Sequence, residues 1–500
     1  MTDPACLSIP LQDYPGMNRF VLDWMSGDTR FLRRDERSDA RAARRRPPPH
    51  LVDALIASNR QWGLFVDEQL RRWGRGQTVT LIAGQQVGFA GGPLYTLAKL
   101  ASLLKMKREL EAAGTPATAF FWMATEDHDF EEVASLSLPM RTGQLDLLRV
   151  RASLSVESRA MVGPLPVPET LIAQFLTVFE MPRPQWLREG ITFRDSFAEL
   201  IAAVAGDEIV LVDALLPELR RAGAPLLESI FEKWDEMQRA LRYRSGELEN
   251  SGYVPQVAAR DDGMYTLLFE IAHGERTILD RPKSLDPQRV STSALTRPLL
   301  QDFVFQPDVF LGGPAEVAYY AQLAPLHEML SVPVPRVGLR GHLLVAPRRL
   351  LRFIDRLAIR PSEIFSSPDA LLAEREPEAV GEIRRLSGEM RRELMEYVSR
   401  IADLALPADH SLARAINRSV GHLEYHVNKL AERAVKGVAR KDRERYAAAR
   451  DLVATLYPDG QVQDRIAAWF PLWHEHGSHL MTRFIDEVEP DTASFKVISL

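Results

Sequence analysis

The amino-acid sequence predicts an α/β protein built on a doubly wound parallel sheet, and three observations carry that expectation. Two nearly continuous apolar runs, residues 78–83 and 117–124, read as strands buried on both faces. Between them lie a glycine-rich turn and a helical pattern over 95–113, with Leu97, Leu100, Leu103, Leu104 and Leu110 on its apolar face and Gly114 placed to cap it. Strand, turn, helix and strand make one βαβ unit. Further short apolar runs follow at 208–213, 309–311, 334–337 and 343–345, and these are expected to complete the same sheet.

Each remaining segment is read from its pattern. The first 75 residues read as loop and helix, with one helix over 51–73 marked by Leu55, Leu64, Leu70 and Trp73. Arg41, Arg44, Arg45 and Arg46 before Pro47, Pro48 and Pro49 read as a solvated basic turn ending in a stiff extended segment; phosphate binding is the alternative. A proline-rich stretch (Pro164, Pro166, Pro168, Pro182, Pro184) and a β-like stretch between Gly252 and Pro298 read as insertions. Beyond Arg348 the pattern turns helical. Ile383, Leu386, Met390, Leu394, Ile401 and Leu404 form one apolar stripe. Ile416, Val420, Leu423, Val427, Leu430 and Ala434 form a second, with the 4,3 spacing of a heptad seam. Two such helices joined near Pro407 predict an antiparallel coiled-coil hairpin and, through it, a homodimer. The expected organisation is a core of 1–135, 206–250 and 296–350, insertions at 136–205 and 251–295, a helical arm at 351–475, and a tail, 476–500, packing on the core.

The bulk composition excludes several classes. The chain has 500 residues, too many for one compact core. With 46% apolar and 26% charged residues it is ordinary for a globular protein. A net charge of −6 argues against a nucleic-acid partner, which needs a broad basic face. The lone cysteine, Cys6, has no partner for an internal disulfide and fits a reducing compartment. No signal-peptide pattern or membrane-length apolar run is present, so a soluble, cytoplasmic protein with no membrane partner is expected.

Ligands of doubly wound sheets bind beyond the carboxyl ends of the strands. Three loops stand at such ends. The first runs Gly84-Gln85-Gln86 through Gly91-Gly92-Pro93; its glycines let backbone N–H groups approach a ligand, and the helix behind it offers its positive end to an anion. It is neither a Walker A loop nor a dinucleotide fingerprint. The second, Glu126-Asp127-His128-Asp129, packs acids around one histidine, which suits a general base held in one tautomer by a carboxylate. A divalent metal on Asp127, His128 or Asp129 is the alternative, and no metal site is predicted, for want of a second histidine nearby. An acidic helix start accounts for Glu131 and Glu132. The third, Gly312-Gly313-Pro314 with Glu316 and Tyr319, is preceded by Thr296-Arg297 and reads as the opposite wall. Asp213 ends an apolar strand, as ribose-binding acids do. His422 and His426 stand one turn apart but no Glu directly follows the first, and His474, His476 and His479 have no cysteine partners, so both groups read as structural, with a ligand role as the alternative.

These strings together resemble the cysteine-adding enzymes of bacillithiol biosynthesis, the BshC family of cysteine ligases. The matching text is Ala83-Gly84-Gln85-Gln86, Gly91-Gly92-Pro93-Leu94-Tyr95-Thr96, Phe121-Trp122-Met123-Ala124-Thr125-Glu126-Asp127-His128-Asp129-Phe130, Thr296-Arg297-Pro298, and Leu311-Gly312-Gly313-Pro314-Ala315-Glu316-Val317-Ala318-Tyr319. The resemblance implies a Rossmann-like core with two connecting-peptide insertions and a coiled-coil dimerisation arm. It implies addition of cysteine to glucosaminyl malate, the last step of the pathway. The class I synthetase motifs His-x-Gly-His and Lys-Met-Ser-Lys-Ser are absent. Amide formation needs an activated carboxyl group, so ATP or ADP is the expected cofactor, with magnesium only as the nucleotide's companion. Tyr95 and Trp122 join the binding set, His128 is the expected base oriented by Asp127 or Asp129, and Arg297 is the expected oxyanion partner. A metal-dependent amide hydrolase and a non-catalytic nucleotide-binding scaffold are the rival readings.

Overall fold

The computed structural model describes residues 6–33, 46–139, 147–151, 159–281, 284–373, 378–407, 409, 412–441 and 443–500. Of the basic run, Arg41, Arg44 and Arg45 lie outside the described residues. The chain divides into two compact units, one holding the residues up to 348 together with 458–500, the other 349–457. Residues 458–475, placed in the arm by the sequence pattern, thus fall in the first unit.

The described strands are β1 (Cys6–Pro10), β2 (Val79–Gln85), β3 (Ala117–Met123), β4 (Ser135–Pro139), β5 (Leu147–Arg151), β6 (Ile209–Asp213), β7 (Leu268–Ala272), β8 (Glu275–Leu279), β9 (Val290–Thr292), β10 (Val309–Gly312), β11 (Arg336–Leu339), β12 (Leu343–Val345) and β13 (Ser494–Ile498). The central sheet is parallel and runs β11-β10-β2-β3-β6. Every residue of β3 and β6 is buried, as continuous apolar runs require when both faces are covered. The chain builds outward from β2 through β3 to β6, then returns to add β10 and β11 on the other side. That reversal at β2 is a topological switch point, so a crevice opens at the carboxyl ends of β2 and β10.

The crossover helix Leu94–Ala112 lies between β2 and β3 with Leu97, Leu100, Leu103 and Leu104 buried. It ends as expected: Gly114 takes φ +78°, and Thr115 N–H returns to Leu110 O at 2.9 Å.

Three expectations are corrected. Residues 343–345 do not join the parallel sheet. Arg340 N–H to Gly312 O is the last link of that edge; β12 then pairs with β13, which pairs antiparallel with β1. A three-residue apolar run satisfies either sheet, and its partner lies some 150 residues away, where no local periodicity reports it. The helix over 51–73 is two helices, Pro49–Gln61 and Asp67–Gly74, broken at Gly63 with φ +83°. Buried Asn59 fixes the first to the sheet by exchanging two 2.9 Å hydrogen bonds with the Leu211 backbone. Strand β1 stands where only loop and helix were expected.

Between β3 and β6 lie the antiparallel pair β4–β5 and the helices Glu169–Phe179 and Phe193–Ala205. Between β6 and β10, strands β8-β7-β9 form a small antiparallel sheet.

In the second unit, helices Glu378–Ala405 and Leu412–Lys441 pack on each other and are followed by Arg443–Leu456. The apolar stripe is only partly used within the hairpin. Val427 is buried, while Leu386, Ile401, Leu404 and Leu430 remain 50–82% exposed.

Candidate active site

A cavity of about 640 Å³ opens at the carboxyl ends of β2, β3 and β10. Gly84, Gln85 and Gln86 form its floor beside Tyr95, and Trp122, Glu126, Asp127 and His128 form one side. Gly313, Glu316, Tyr319 and Arg297 form the opposite wall. The expected loops are therefore brought together.

The acidic loop divides its work. Glu126 is buried and accepts from Ser291 Oγ at 2.7 Å and Thr292 Oγ1 at 3.0 Å, tying the end of β3 to β9. One oxygen of Asp127 accepts from the His128 backbone N–H at 2.7 Å, the other from Gln86 Nε2 at 2.6 Å. Its carboxylate thereby joins the first two loops. Asp129 is exposed, outside the cavity lining, and its N–H turns to Asp127 Oδ1 at 3.4 Å. Among the described residues no group of three His, Cys, Asp or Glu side chains is arranged to hold a metal ion.

The expectation that Asp127 or Asp129 orients His128 is corrected. Asp127 Oδ1 stands 3.7 Å from His128 Nδ1, beyond hydrogen-bond reach. The partner of Nδ1 is Arg276 Nη1 at 3.3 Å. A guanidinium only donates, so Nδ1 accepts and the imidazole proton sits on Nε2. In this state His128 presents an N–H donor rather than a lone pair. Arg276 is itself fixed: it lies 3.9 Å over the Phe269 ring, and donates to Ser291 Oγ and to the Thr292 carbonyl. Burial pulls it below the ordinary arginine range, though Glu126 and Asp127 oppose that.

Lys99 had no place among the expected site residues. It rises from the buried face of the crossover helix and is 3% exposed. Its Nζ donates to Gly84 O at 2.6 Å, Gln85 Oε1 at 3.3 Å and Glu316 Oε2 at 2.5 Å. Three acceptors fit the three donors of an ammonium. Burial alone would raise Glu316, but Lys99, Arg297 and the Gly313 N–H hold its carboxyl below the usual range. Glu316 also accepts from that Gly313 N–H at 2.7 Å, closing the start of the helix Pro314–Met329.

On the far wall Arg297 donates to Tyr319 Oη at 2.6 Å and Gln301 Oε1 at 3.1 Å. Burial pushes the Tyr319 phenol up. Thr296 and Gly312 are absent from the lining. Thr296 Oγ1 is spent on Leu267 O at 2.5 Å, and an added Cβ on Gly312 would stand 2.8 Å from the Phe310 ring. Both are packing residues. Asp213 likewise takes no open position: it accepts from Thr125 Oγ1 at 2.5 Å and Leu215 N–H at 2.9 Å.

The glycine turn is not the expected anion cradle. A Cβ on Gly91, at φ +86°, would lie 2.2 Å from the Trp469 ring, whose Nε1 donates to Gly91 O at 2.9 Å. The first N–H of the following helix, from Leu94, donates to Ala467 O at 2.8 Å. Gly92, at φ +74°, lines a smaller neighbouring pocket. Residues 463–470 thus cover the turn, and they also bring Asp464 to Arg340 (3.2 Å) and Arg465 to the cavity. Five cations (Lys99, Arg276, Arg297, Arg340, Arg465) face three carboxylates (Glu126, Asp127, Glu316), so the lining favours an anionic ligand.

Of these groups the sequence signalled only some. A lysine set among leucines on a buried helix face was a readable sign for Lys99. Nothing local marked Arg276, Arg340 or Arg465, which reach the cavity from β8, from the end of β11 and from the C-terminal segment.

Comparison with known proteins identifies the two domains. The model of the bacillithiol biosynthesis BshC N-terminal Rossmann-like domain matches residues 23–286 and 279–341, and that of the BshC C-terminal coiled-coil domain matches 343–500. A protein of Solibacter usitatus named "Putative cysteine ligase BshC" is 28% identical, covering 99% of each chain. Proteins of the same name are 27% identical in Koribacter versatilis, covering 97% of each, and 24% identical in Staphylococcus carnosus, covering 80% of this chain and 81% of that one. With both domain models matched over nearly its whole length, the chain belongs to the bacillithiol biosynthesis BshC family.

Proposed function

We propose that the chain is a ligase that joins the carboxyl group of cysteine to the amino group of glucosaminyl malate, the last step of bacillithiol biosynthesis. The observation that carries this reading is the cation-rich cavity with a histidine N–H donor at its edge. A malate group brings two carboxylates, and the excess of fixed cations suits them. The name carried by the relatives supports cysteine as the second substrate.

The chain's own residues would act as follows. Arg297, Arg340 and Arg465 hold the anionic groups. As the amine attacks, negative charge develops on the carboxyl oxygen, and His128 Nε2–H donates to it. Asp127, which lines the cavity and is 30% exposed, accepts the proton the amine loses. ATP with its magnesium, when bound, would supply the activation of the carboxyl group and hence the phosphate or AMP that leaves as the amide bond forms. The arginines fit its phosphates; the covered glycine turn does not. Exposed Leu386, Ile401, Leu404 and Leu430 support a homodimer formed through the helical arm. No described helix is long and apolar enough to cross a membrane, and a cytoplasmic setting suits these substrates.

The test is a mass-spectrometric assay with glucosaminyl malate, cysteine and ATP, each omitted in turn. A product heavier than the amino-sugar by one cysteine residue, dependent on all three, is the expected outcome. No such product under any combination removes the reading.

A further inference from the structure

Beside the main cavity lies a second pocket of about 180 Å³. The two share Gln85, Gln86, Tyr95 and Arg465, so they stand side by side at the end of β2. Two polar atoms on residues lining the smaller pocket have no hydrogen-bond partner among the described residues. Thr96 is fully buried, yet its Oγ1 has no hydrogen-bond partner among the described residues. A helical threonine ordinarily returns that bond to the preceding turn. The acceptor there would be the Gly92 carbonyl, and the bond is not made; an added Cβ on Gly92 would stand 3.6 Å from the hydroxyl. Gln86 Oε1 is also buried without a partner, while its Nε2 is committed to Asp127. The amide is therefore locked with its acceptor left over. An unmet buried acceptor or hydroxyl is unfavourable, and two beside one pocket point to a ligand that donates.

The rest of the wall narrows the chemistry. Val133, Leu136 and Pro93 are apolar, and Ser137 adds a hydroxyl. At the shared mouth Arg465 is exposed; it lies over the Tyr14 ring, 5.7 Å from its centroid, and pairs with no carboxylate among the described residues. Donor-seeking atoms inside, a short apolar wall and a cation at the mouth suit a small zwitterion. The pocket is too small for a sugar linked to a dicarboxylic acid.

We propose that this side pocket is the subsite for a small α-amino acid, with the ammonium on Gln86 Oε1 and Thr96 Oγ1 and the carboxyl group at the Arg465 mouth, facing the main cavity. For the amino acid to be cysteine rests on the ligase reading. The short methylene thiol would lie against Leu136, and the amino-sugar would occupy the larger cavity. The carboxyl group would then stand at the junction where His128 and the incoming amine meet it.

Titration calorimetry on the full chain tests this, with reduced L-cysteine and glucosaminyl malate titrated separately in the presence of ATP and magnesium. Thr96→Val is expected to weaken cysteine binding about tenfold, leave amino-sugar binding unchanged, and not lower the melting temperature. Ser137→Phe, which fills the pocket, is expected to abolish cysteine binding alone. Wild-type protein that binds no cysteine overturns the subsite. So do variants that bind cysteine like wild type, or that lose both ligands equally. Product formation with unchanged cysteine KM in both variants overturns the subsite and leaves the ligase reading standing. Cysteine binding that the variants abolish, without any product from the wild type, overturns the ligase reading and leaves the subsite standing.

Discussion

Arg276 and His128 meet at the edge of the cavity, guanidinium Nη1 to imidazole Nδ1 at 3.3 Å, and that contact decides which way the histidine can work. A ring whose Nδ1 is taken by a permanent donor has its proton on Nε2. Its open side is then a donor.

Replacement of His128 separates a donor from a base. His128→Ala is expected to lower kcat by about 10²–10³. His128→Gln keeps an N–H near the Nε2 position and is expected to recover at least tenfold of that loss. Steady-state kinetics of the two variants measure it. A glutamine variant as inactive as the alanine one indicates a base instead.

Buried Lys99 and half-buried Glu316 form an ion pair that holds the two walls together. Lys99→Met leaves the carboxylate without its ammonium and is expected to destabilise the protein by about 3 kcal/mol. Adding Glu316→Gln should restore more than half of that. Denaturant unfolding of the two single variants and the double variant gives the coupling; additive losses would dissolve the pair.

The same pair sets an acid limit. Glu316 is held below the ordinary glutamate range, so its folded pKa lies under its unfolded one. Its contribution to stability is complete above the unfolded value of about 4.3 and is lost as pH falls through the folded value. Melting curves from pH 7 to pH 3 should show a loss below about pH 4.3 that is smaller in Glu316→Gln. Parallel curves for the two proteins would contradict this.

Gly91→Ala tests the cover over the glycine turn. The new Cβ would enter the Trp469 ring in a backbone conformation that alanine disfavours. The expected penalty is about 2–4 kcal/mol, with a red-shifted tryptophan emission as Trp469 is displaced. Unchanged emission and stability would mean the contact is not held in solution.

The helical arm gives a prediction about assembly. Ile401 and Leu404 are 60% and 82% exposed. Ile401→Glu with Leu404→Glu should turn a sedimenting dimer into a monomer without melting the arm's helices. A dimer that survives both changes forms elsewhere.

Legibility followed sequence distance. β2, its glycine turn, the crossover helix and β3 were readable because propensity, periodicity and turn residues agree within some 50 residues. The neighbourhood of Gln86, Asp127 and His128 came with them. The division of labour among the acids was not readable, since it depends on Ser291, Thr292 and Arg276 from a separate small sheet. Gly91 misled for a similar reason. A glycine that admits a ligand and one that admits an indole ring look alike until Trp469 is placed. Strand β12 was assigned to the wrong sheet because its partner, β13, follows only after the whole helical arm.

The bond from Trp469 to Gly91 spans 378 residues. At about 5–20 residues per second, a ribosome needs roughly 20–75 s to travel that far. Through that interval β3, β6, β10 and β11 are still being made, and the nascent glycine turn stands uncovered. The cavity's lining is thus finished late in the chain's own synthesis, and messages cut short before Arg465 should yield a product that lacks both this cation and the indole over the turn.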